Sequence, residues 1–366
     1  MKLEILKEHL EAAVSAAARV SNKNLSLPVL GCVVIAASQE RTVVRATNLD
    51  VSIEITLKAK VIEEGMVAVP AAILSQTVST ATDQKITLHT SGNTLAMTGM
   101  HGEATLKTVD VTDFPTLPYV KEGEGVSVMI PARELARALK SVSFAASSSG
   151  MRPELASVYL SLEEGVLIAA ATDSFRLAEI KIPMKARVSA DPVLIPARNV
   201  GDIVRLLTDT DIAELRIGEN QATIVAGGNY VTSRTVDSSF PDYRAIIPKE
   251  YGSQVTALTE DVSRAFRKVS VFTDAYNQVE LAVDPEQKNF SIKAQNSAVG
   301  ETHEAIDAAL QGDTVTMYFN IRYILDALGV ITTDSLTFKI AGPGKPMVIE
   351  EQPHSGFTYL VMPMNK

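Results

Sequence analysis

The chain has 366 residues, 46% of them hydrophobic, and a formal net charge of −9. That balance excludes an evenly basic surface, though not a protein that segregates its charge by face. A single cysteine, Cys32, excludes an internal disulfide framework; no apolar run is long enough to span a bilayer, and Glu4, Glu8 and Glu11 in the first helix are foreign to a secretory signal, so a reducing, cytoplasmic setting is expected.

The first helix pattern carries its apolar stripe on Leu10, Val14 and Ala17. A strand pair is expected over Val29 to Ala37 and Thr42 to Ala46, turning at Gln39-Glu40. Val69-Pro70-Ala71 then opens a second helix, and further strands lead to Val109-Asp110 and Phe114-Pro115. Lys121-Glu122-Gly123-Glu124-Gly125 reads as a linker. The same order follows again: a helix on Leu135, Leu139 and Val142, strands over Val158 to Leu162 and Val166 to Ala171, a helix after Ile195-Pro196-Ala197, then Val236-Asp237 and Phe240-Pro241. Pro131 and Pro196 sit near first-turn helix positions, where a missing N–H costs little. After a second linker, Pro248 to Ser253, the pattern runs a third time. A helix on Val262, Phe266 and Val269, a turn at Asp284 to Gln287, an echo at Phe319-Asn320-Ile321 and a closing strand at Tyr359 to Pro363 make it up.

Ala46-Thr47-Asn48, Ala171-Thr172-Asp173 and Ala294-Gln295-Asn296 end matching strands about every 125 residues. A period near one third of the chain means three similar domains, expected at 1–122, 123–249 and 250–366. Short strands and amphipathic helices with few crossovers point to α+β domains with antiparallel sheets.

The search for chemistry finds no catalytic, metal or cofactor site. His9, His89, His101, His303 and His354 are scattered, and no Cys-x-x-Cys exists. Gly342 to Pro346 lacks the spacing of a phosphate loop and reads as a hairpin turn. Asp173 and Arg176 could form a catalytic pair, but Asn48 and Asn296 at matching places favour a turn role for Asp173. Cys32, amid Leu30-Gly31 and Val33-Val34, reads as a buried strand thiol.

The helices carry more base than the total suggests: Arg19 and Lys23; Arg133, Arg137 and Lys140; Arg198 and Arg205; Arg264, Arg267 and Lys268; Arg322. Acid collects elsewhere, at Glu63-Glu64, Glu122, Glu124, Glu163-Glu164, Asp209, Asp211 and Glu350-Glu351, so that strands and loops are expected to hold the acid. One such run is ordinarily a solvated face. Repeated through three domains, it suggests a cationic wall that meets phosphates without reading bases. Without tryptophan or an aromatic stripe, duplex fits better than single strands.

Together, Ala171 to Ala178, Val236 to Arg244, Tyr359 to Met364 and Leu27 to Leu30 resemble the bacterial DNA polymerase sliding clamps over the whole chain. The resemblance implies three clamp domains in a head-to-tail homodimer: a ring with antiparallel sheets outside and helices lining the hole, which lacks enzymatic activity. It implies double-stranded DNA, the replicative polymerase, a clamp loader, other proteins carrying a clamp-binding motif and a second copy of the chain as partners, with no cofactor, metal or membrane.

By matched position, the resemblance places a peptide cleft at Leu155, Thr172, Ser174, Phe175, Arg176, Leu177, Pro241, Ala245, Ile246, Asn320, Tyr323, Pro346, Met347, Val361, Met362, Pro363 and Met364. DNA contacts matched in the same way are Lys23, Asn24, Ser149, Arg152 and Arg198; helix charge adds Arg137, Lys140, Arg205 and Arg264. The protomer contact is implied near Leu106 with Val271 and Phe272. Ser174-Phe175 stands where the family commonly has Gly-His, and Ala245 where it often has a basic residue, so the cleft is expected to be bulkier and less polar; Ala72 stands at a position where the family often uses a basic residue for DNA. Two rivals stand beside this reading: a repeat-built adaptor that never encircles DNA, and an enzyme using Asp173 and Arg176.

Overall fold

The computed structural model describes residues 1–21, 27–185, 188–208, 210–353 and 355–365. Its first third runs β1 (Lys2–Leu6), α1 (Lys7–Val20), β2 (Cys32–Ala37), β3 (Thr42–Thr47), β4 (Val51–Leu57), β5 (Ala59–Glu63), β6 (Gly65–Pro70), α2 (Ala71–Thr80), β7 (Lys85–Ser91), β8 (Thr94–Thr98) and β9 (Glu103–Lys107). The second runs β10 (Val126–Pro131), α3 (Ala132–Ser143), β11 (Ser157–Glu163), β12 (Val166–Thr172), β13 (Arg176–Pro183), β14 (Ala190–Pro196), α4 (Ala197–Leu206), β15 (Ile212–Ile217), β16 (Gln221–Ala226) and β17 (Asn229–Arg234). The third runs β18 (Ser253–Leu258), α5 (Thr259–Ser270), β19 (Gln278–Asp284), β20 (Asn289–Asn296), β21 (Gly300–Ala305), β22 (Ala308–Gly312), β23 (Val315–Asn320), α6 (Ile321–Leu328), β24 (Ser335–Ile340), β25 (Met347–Gln352) and β26 (Phe357–Val361).

Packing groups these elements into two compact units, Met1–Ala136 with Arg198–Thr235 and Arg137–Ala197 with Val236–Lys366. The first unit holds an eight-stranded sheet, β10-β15-β16-β17-β4-β3-β2-β6, and a five-stranded one, β5-β1-β7-β8-β9. The second holds a nine-stranded sheet, β14-β11-β12-β13-β26-β25-β24-β18-β22, and a four-stranded one, β21-β20-β19-β23. Every ladder is antiparallel. In each unit the larger sheet is made where one repeat pairs with the next: β17 on β4, and β26 on β13.

The helices are amphipathic because their apolar residues recur at i, i+4 and i+7, and all nine residues of the three expected stripes are completely buried. Each of the leucine, valine and phenylalanine side chains among them contributes about 1.5–3 kcal/mol by leaving water, and Ala17 less. Strand residues lead directly into the helices, with Pro70, Pro131 and Pro196 as the last extended positions; Asn320, in the same place, instead caps α6 by accepting from the Arg322 N–H at 3.0 Å. The strand expected from Val29 begins only at Cys32, because Pro28 starts a 3-10 turn over Pro28–Gly31. Proline fixes φ near the helical value and offers no donor to a ladder. Gly342 to Pro346 is the turn between β24 and β25.

The repeated Thr-Asn/Asp has a physical cause. Asn48 Oδ1 accepts from the Asp50 and Val51 N–H groups at 3.0 and 2.8 Å; Asp173 Oδ1 accepts from Phe175 and Arg176 at 2.9 and 3.0 Å. Thr47 Oγ1 donates to the Val51 carbonyl at 2.8 Å, and Thr172 Oγ1 to that of Arg176 at 2.6 Å. These clasps hold Leu49 (φ 75°) and Ser174 (φ 80°) in the left-handed region. In the third copy Gln295 replaces the threonine, and Asn296 Oδ1 keeps one such bond, from Ala298 at 2.9 Å.

Each inter-repeat ladder buries a glutamate. Glu54, 2% exposed, takes Arg41 at 2.7 Å and Arg45 at 2.6 Å; Glu179, also 2% exposed, takes Lys181 at 2.8 Å and the Tyr243 hydroxyl at 2.7 Å. The two arginine heads reach water but Glu54 does not, so the cost of breaking the cluster depends on which side is removed. In urea unfolding, Glu54→Gln is expected to cost about 1–2 kcal/mol, and Arg41→Ala with Arg45→Ala, which strands the carboxylate, about 3–5 kcal/mol. Equal costs would contradict burial as the controlling factor.

Candidate peptide cleft and nucleic-acid interface

All seventeen expected cleft residues lie in the second unit. The start of β13 and the end of β26 pair Arg176 with Val361, and Val361 pairs onward with Met347 of β25. The Met362 N–H donates to the Phe175 carbonyl at 2.8 Å, and that of Met364 to the Tyr318 carbonyl at 2.7 Å, so the C-terminal segment is tied to two sheets. Leu155, Thr172, Leu177, Met347 and Val361 are buried supports. Phe175, Ile246 and Met362 are exposed apolar groups, 61%, 49% and 37% accessible; Pro241, Tyr323, Pro346, Pro363 and Met364 are half-buried, and Ser174 and Ala245 exposed. Segment 240–247 lies on the sheet, with Tyr243 packed among Ala170, Leu177, Val348 and Leu360. Methionine and proline without fixed polar partners form an adaptable apolar surface.

Arg176 is the pivot. Its guanidinium bonds Asp173 Oδ2 at 2.9 Å and Asp326 Oδ2 at 2.5 Å, and stacks over Tyr323 and Phe144 at 4.5 and 5.6 Å from the ring centroids. Burial opposes its charge, but Asp326 and Asp173 outweigh that and hold its pKa raised. Tyr359 lies beneath, fully buried, donating to the Tyr323 carbonyl at 2.8 Å; burial pushes its hydroxyl pKa up. Asn320 is engaged as the α6 cap. Arg176 therefore shapes one wall of the surface. The sequence reading missed Asp326, Phe144 and Tyr359, whose contacts span chain separations that no local spacing reveals.

The basic residues singled out above, most of them on helices, are more heavily paired than their spacing suggests. Arg205 meets Asp202 at 2.9 Å, Arg198 meets Asp50 at 2.8 Å, Arg152 meets Glu154 at 3.1 Å, Lys268 meets Glu304 at 2.5 Å, and Arg264 bonds Asp261. Acid is thus not confined to strands and loops: Asp202 and Asp261 sit on the same helices, three residues before their arginines. Arg198, Arg205 and Arg264 keep 70%, 50% and 69% of their side-chain surface, and Lys140 and Ser149 are exposed. Lys23 and Asn24 lie outside the described residues. Arg137 turns inward to the buried Glu351 and the Ser355 carbonyl, both at 3.4 Å. At the matching positions of the first unit both partners are alanine, Ala12 and Ala226, and a cavity of about 430 Å³ remains. Leu106 is buried on β9, Val271 is exposed and Phe272 half-buried.

Lysine at position 176 would keep the charge but lose the planar fork and stack. Arg176→Lys is expected to cost about 1–2 kcal/mol in thermal unfolding; an unchanged melting temperature would remove the clasp from the account.

Comparison with known proteins agrees with this architecture. Family models of the DNA polymerase III beta subunit match at residues 1–118 (N-terminal domain), 129–242 (central domain) and 244–365 (C-terminal domain). The chain is 28% identical to a beta sliding clamp of Synechococcus elongatus over 374 residues, 100% of this chain and 99% of that one. It is 27% identical to that of Pseudomonas aeruginosa over 374 residues, covering 100% of both. Among solved structures, a P. aeruginosa sliding clamp bound to griselimycin superposes with a TM-score of 0.92 at 26% identity, covering 100% of both chains. The Thermotoga maritima beta subunit shares the fold, with a TM-score of 0.93 at 20% identity, over 100% of this chain and 99% of that one. The three clamp domains of this chain, and its membership of the DNA polymerase III beta subunit family, the bacterial sliding clamps, follow from these matches.

Proposed function

We propose that the chain is a replication processivity factor: a ring of two copies, head to tail, that encloses duplex DNA and tethers the replicative polymerase and other partners through the cleft around Phe175, Ile246 and Met362. As a sliding clamp it is not an enzyme. The domains are taken as 1–122, 123–249 and 250–366. A separate loader opens and places the ring, and the setting is the cytoplasm; no helix among the described residues is long and apolar enough to cross a membrane.

One observation carries the ring. Each junction between repeats is an eight- or nine-stranded sheet, whereas the two remaining sheets have five and four strands and end on β9 and β21, edges unpaired among the described residues that correspond to those joined inside the chain. Two copies in head-to-tail contact would complete a nine-stranded sheet and cover both edges. Leu106 then supports β9 from within, while Val271 and Phe272 flank the β21 side. Enclosure replaces affinity, so weak phosphate contacts suffice. The ion pairs on Arg198, Arg205 and Arg264 suit this, because a phosphate must compete with a carboxylate already in place. Lys140, Ser149 and Arg152 extend the proposed DNA-facing set, with Lys23 and Asn24. Arg137 belongs to it only through its outer edge. The cleft accepts a short peptide whose apolar side chains meet Phe175, Met362 and Ile246, with Tyr323 and Pro363 alongside.

Loaded protein is expected to stay on closed circular duplex and to leave within seconds once the circle is cut; equal retention would favour the adaptor reading. Lys140→Ala, Arg198→Ala and Arg264→Ala together should shorten retention. Asp202→Asn with Asp261→Asn should steepen the slope of log affinity on log salt by roughly 1–2 by freeing two arginines for phosphates. A slope unmoved by the aspartate changes would show that those arginines do not face DNA.

A further inference from the structure

The two closed junctions dictate what the open one must look like, if the head-to-tail reading above holds. In the first unit β17 sets Tyr230 opposite Glu54, Val231 opposite Ile53 and Thr232 opposite Ser52. In the second, β26 sets Thr358 opposite Glu179, Tyr359 opposite Ala178 and Leu360 opposite Leu177. The neighbouring ladders establish which residues of the open edges correspond. Ala104 lies opposite Met97 as Val231 lies opposite Ile224 and Tyr359 opposite Ile349; Met97, Ile224 and Ile349 in turn face Leu88, Leu215 and Phe338. Glu103, Tyr230 and Thr358 are therefore one position. On the other side Ala46, Ala171 and Ala294 face Ile53, Ala178 and Thr302, which makes Glu54, Glu179 and His303 one position. Carried to the open edges, the shared register puts Glu103 opposite His303, Ala104 opposite Thr302, Thr105 opposite Glu301 and Leu106 opposite Gly300. The histidine thus stands where both closed junctions bury a glutamate.

We infer that the junction between copies pairs Glu103 of β9 with His303 of β21, which makes assembly of the ring proton-linked and selects a second copy of this chain over other sheet edges. Groups around the pair set the sign. On the β21 side, Lys293 lies opposite His303 but holds Glu301 at 3.2 Å, and Glu280 beyond it takes the Tyr318 hydroxyl at 2.7 Å. Glu304, the next residue along β21, bonds Lys268 at 2.5 Å. On the β9 side, Glu103 lies opposite Thr98, with Lys107 further along, Glu4 on β1 paired with Lys85 at 2.6 Å, and His101 held by Asp83 at 2.7 Å. With His303 neutral, Glu103 enters this junction with Glu301 on the diagonal and no uncommitted cation opposite. A proton on His303 supplies one. Proton binding favoured by association strengthens the dimer at low pH, and that gain is lost as pH rises through the imidazole range.

Dimer dissociation, followed by fluorescence-detected sedimentation between about pH 6 and pH 8, tests the pairing. A cross-strand charge pair is worth about threefold, and two junctions per ring give on the order of a tenfold weaker dimer at the higher pH. His303→Gln and Glu103→Gln should each flatten that dependence. Ala104→Cys with Thr302→Cys should yield an intermolecular disulfide under mild oxidation. A dimer whose dissociation ignores pH, whose slope survives both glutamine changes, or which never cross-links at 104 and 302 overturns the pairing and leaves the ring standing. A chain that stays monomeric at micromolar concentration overturns the ring, and the pairing with it.

Discussion

A half-sheet cannot end in the middle of a protein. Each repeat builds two of them, and each leaves a row of backbone donors and acceptors along one edge. Those groups must find partners, because an unmade backbone bond costs more than a made one gains. Within each unit the neighbouring repeat supplies the partner: β17 meets β4, and β26 meets β13. The buried glutamates, the clasped turns after Thr47 and Thr172 and the connector carrying Tyr243 all serve these two ladders. The same demand at β9 and β21 is what underlies the proposed pairing with a second copy.

The proposed peptide surface grows out of the second of these ladders. β13 begins there, β26 ends there, and the clasp that turns the chain into β13 exposes Phe175 at its tip. Arg176 fixes the surface from behind through two carboxylates and two rings. A junction needed for folding thus doubles as a rigid frame for an adaptable apolar contact. The helix faces follow a different logic. Arg198, Arg205 and Arg264 are exposed but partnered, which limits how tightly they would grip a phosphate. For a protein whose hold on DNA is topological, a weak grip is the useful one.

The paired acids show where sequence reasoning fell short. Asp202 and Asp261 were within view, each three residues before an arginine, yet the acid was expected on strands and loops. The i, i+3 spacing was the signal that could have found them. Asp326 and Glu351 were out of reach, since each meets its arginine across most of a domain or more of chain. The strand at Val29 was misjudged because an apolar run outweighed the proline ahead of it.

Repetition, the nine helix-stripe residues, the closing turn residues and the alternation of helices with strand runs, though not the strand that opens each third (β1, β10 and β18), were legible in the sequence, because periodicity and turn chemistry are local properties that one chain carries along its length. Which edge joins which, the register that aligns His303 with Glu54 and Glu179, and the inward turn of Arg137 belonged to the tertiary structure alone. Antiparallel edges offer nearly the same backbone bonds in many alignments, and only side chains brought together from distant segments distinguish one register from its neighbours.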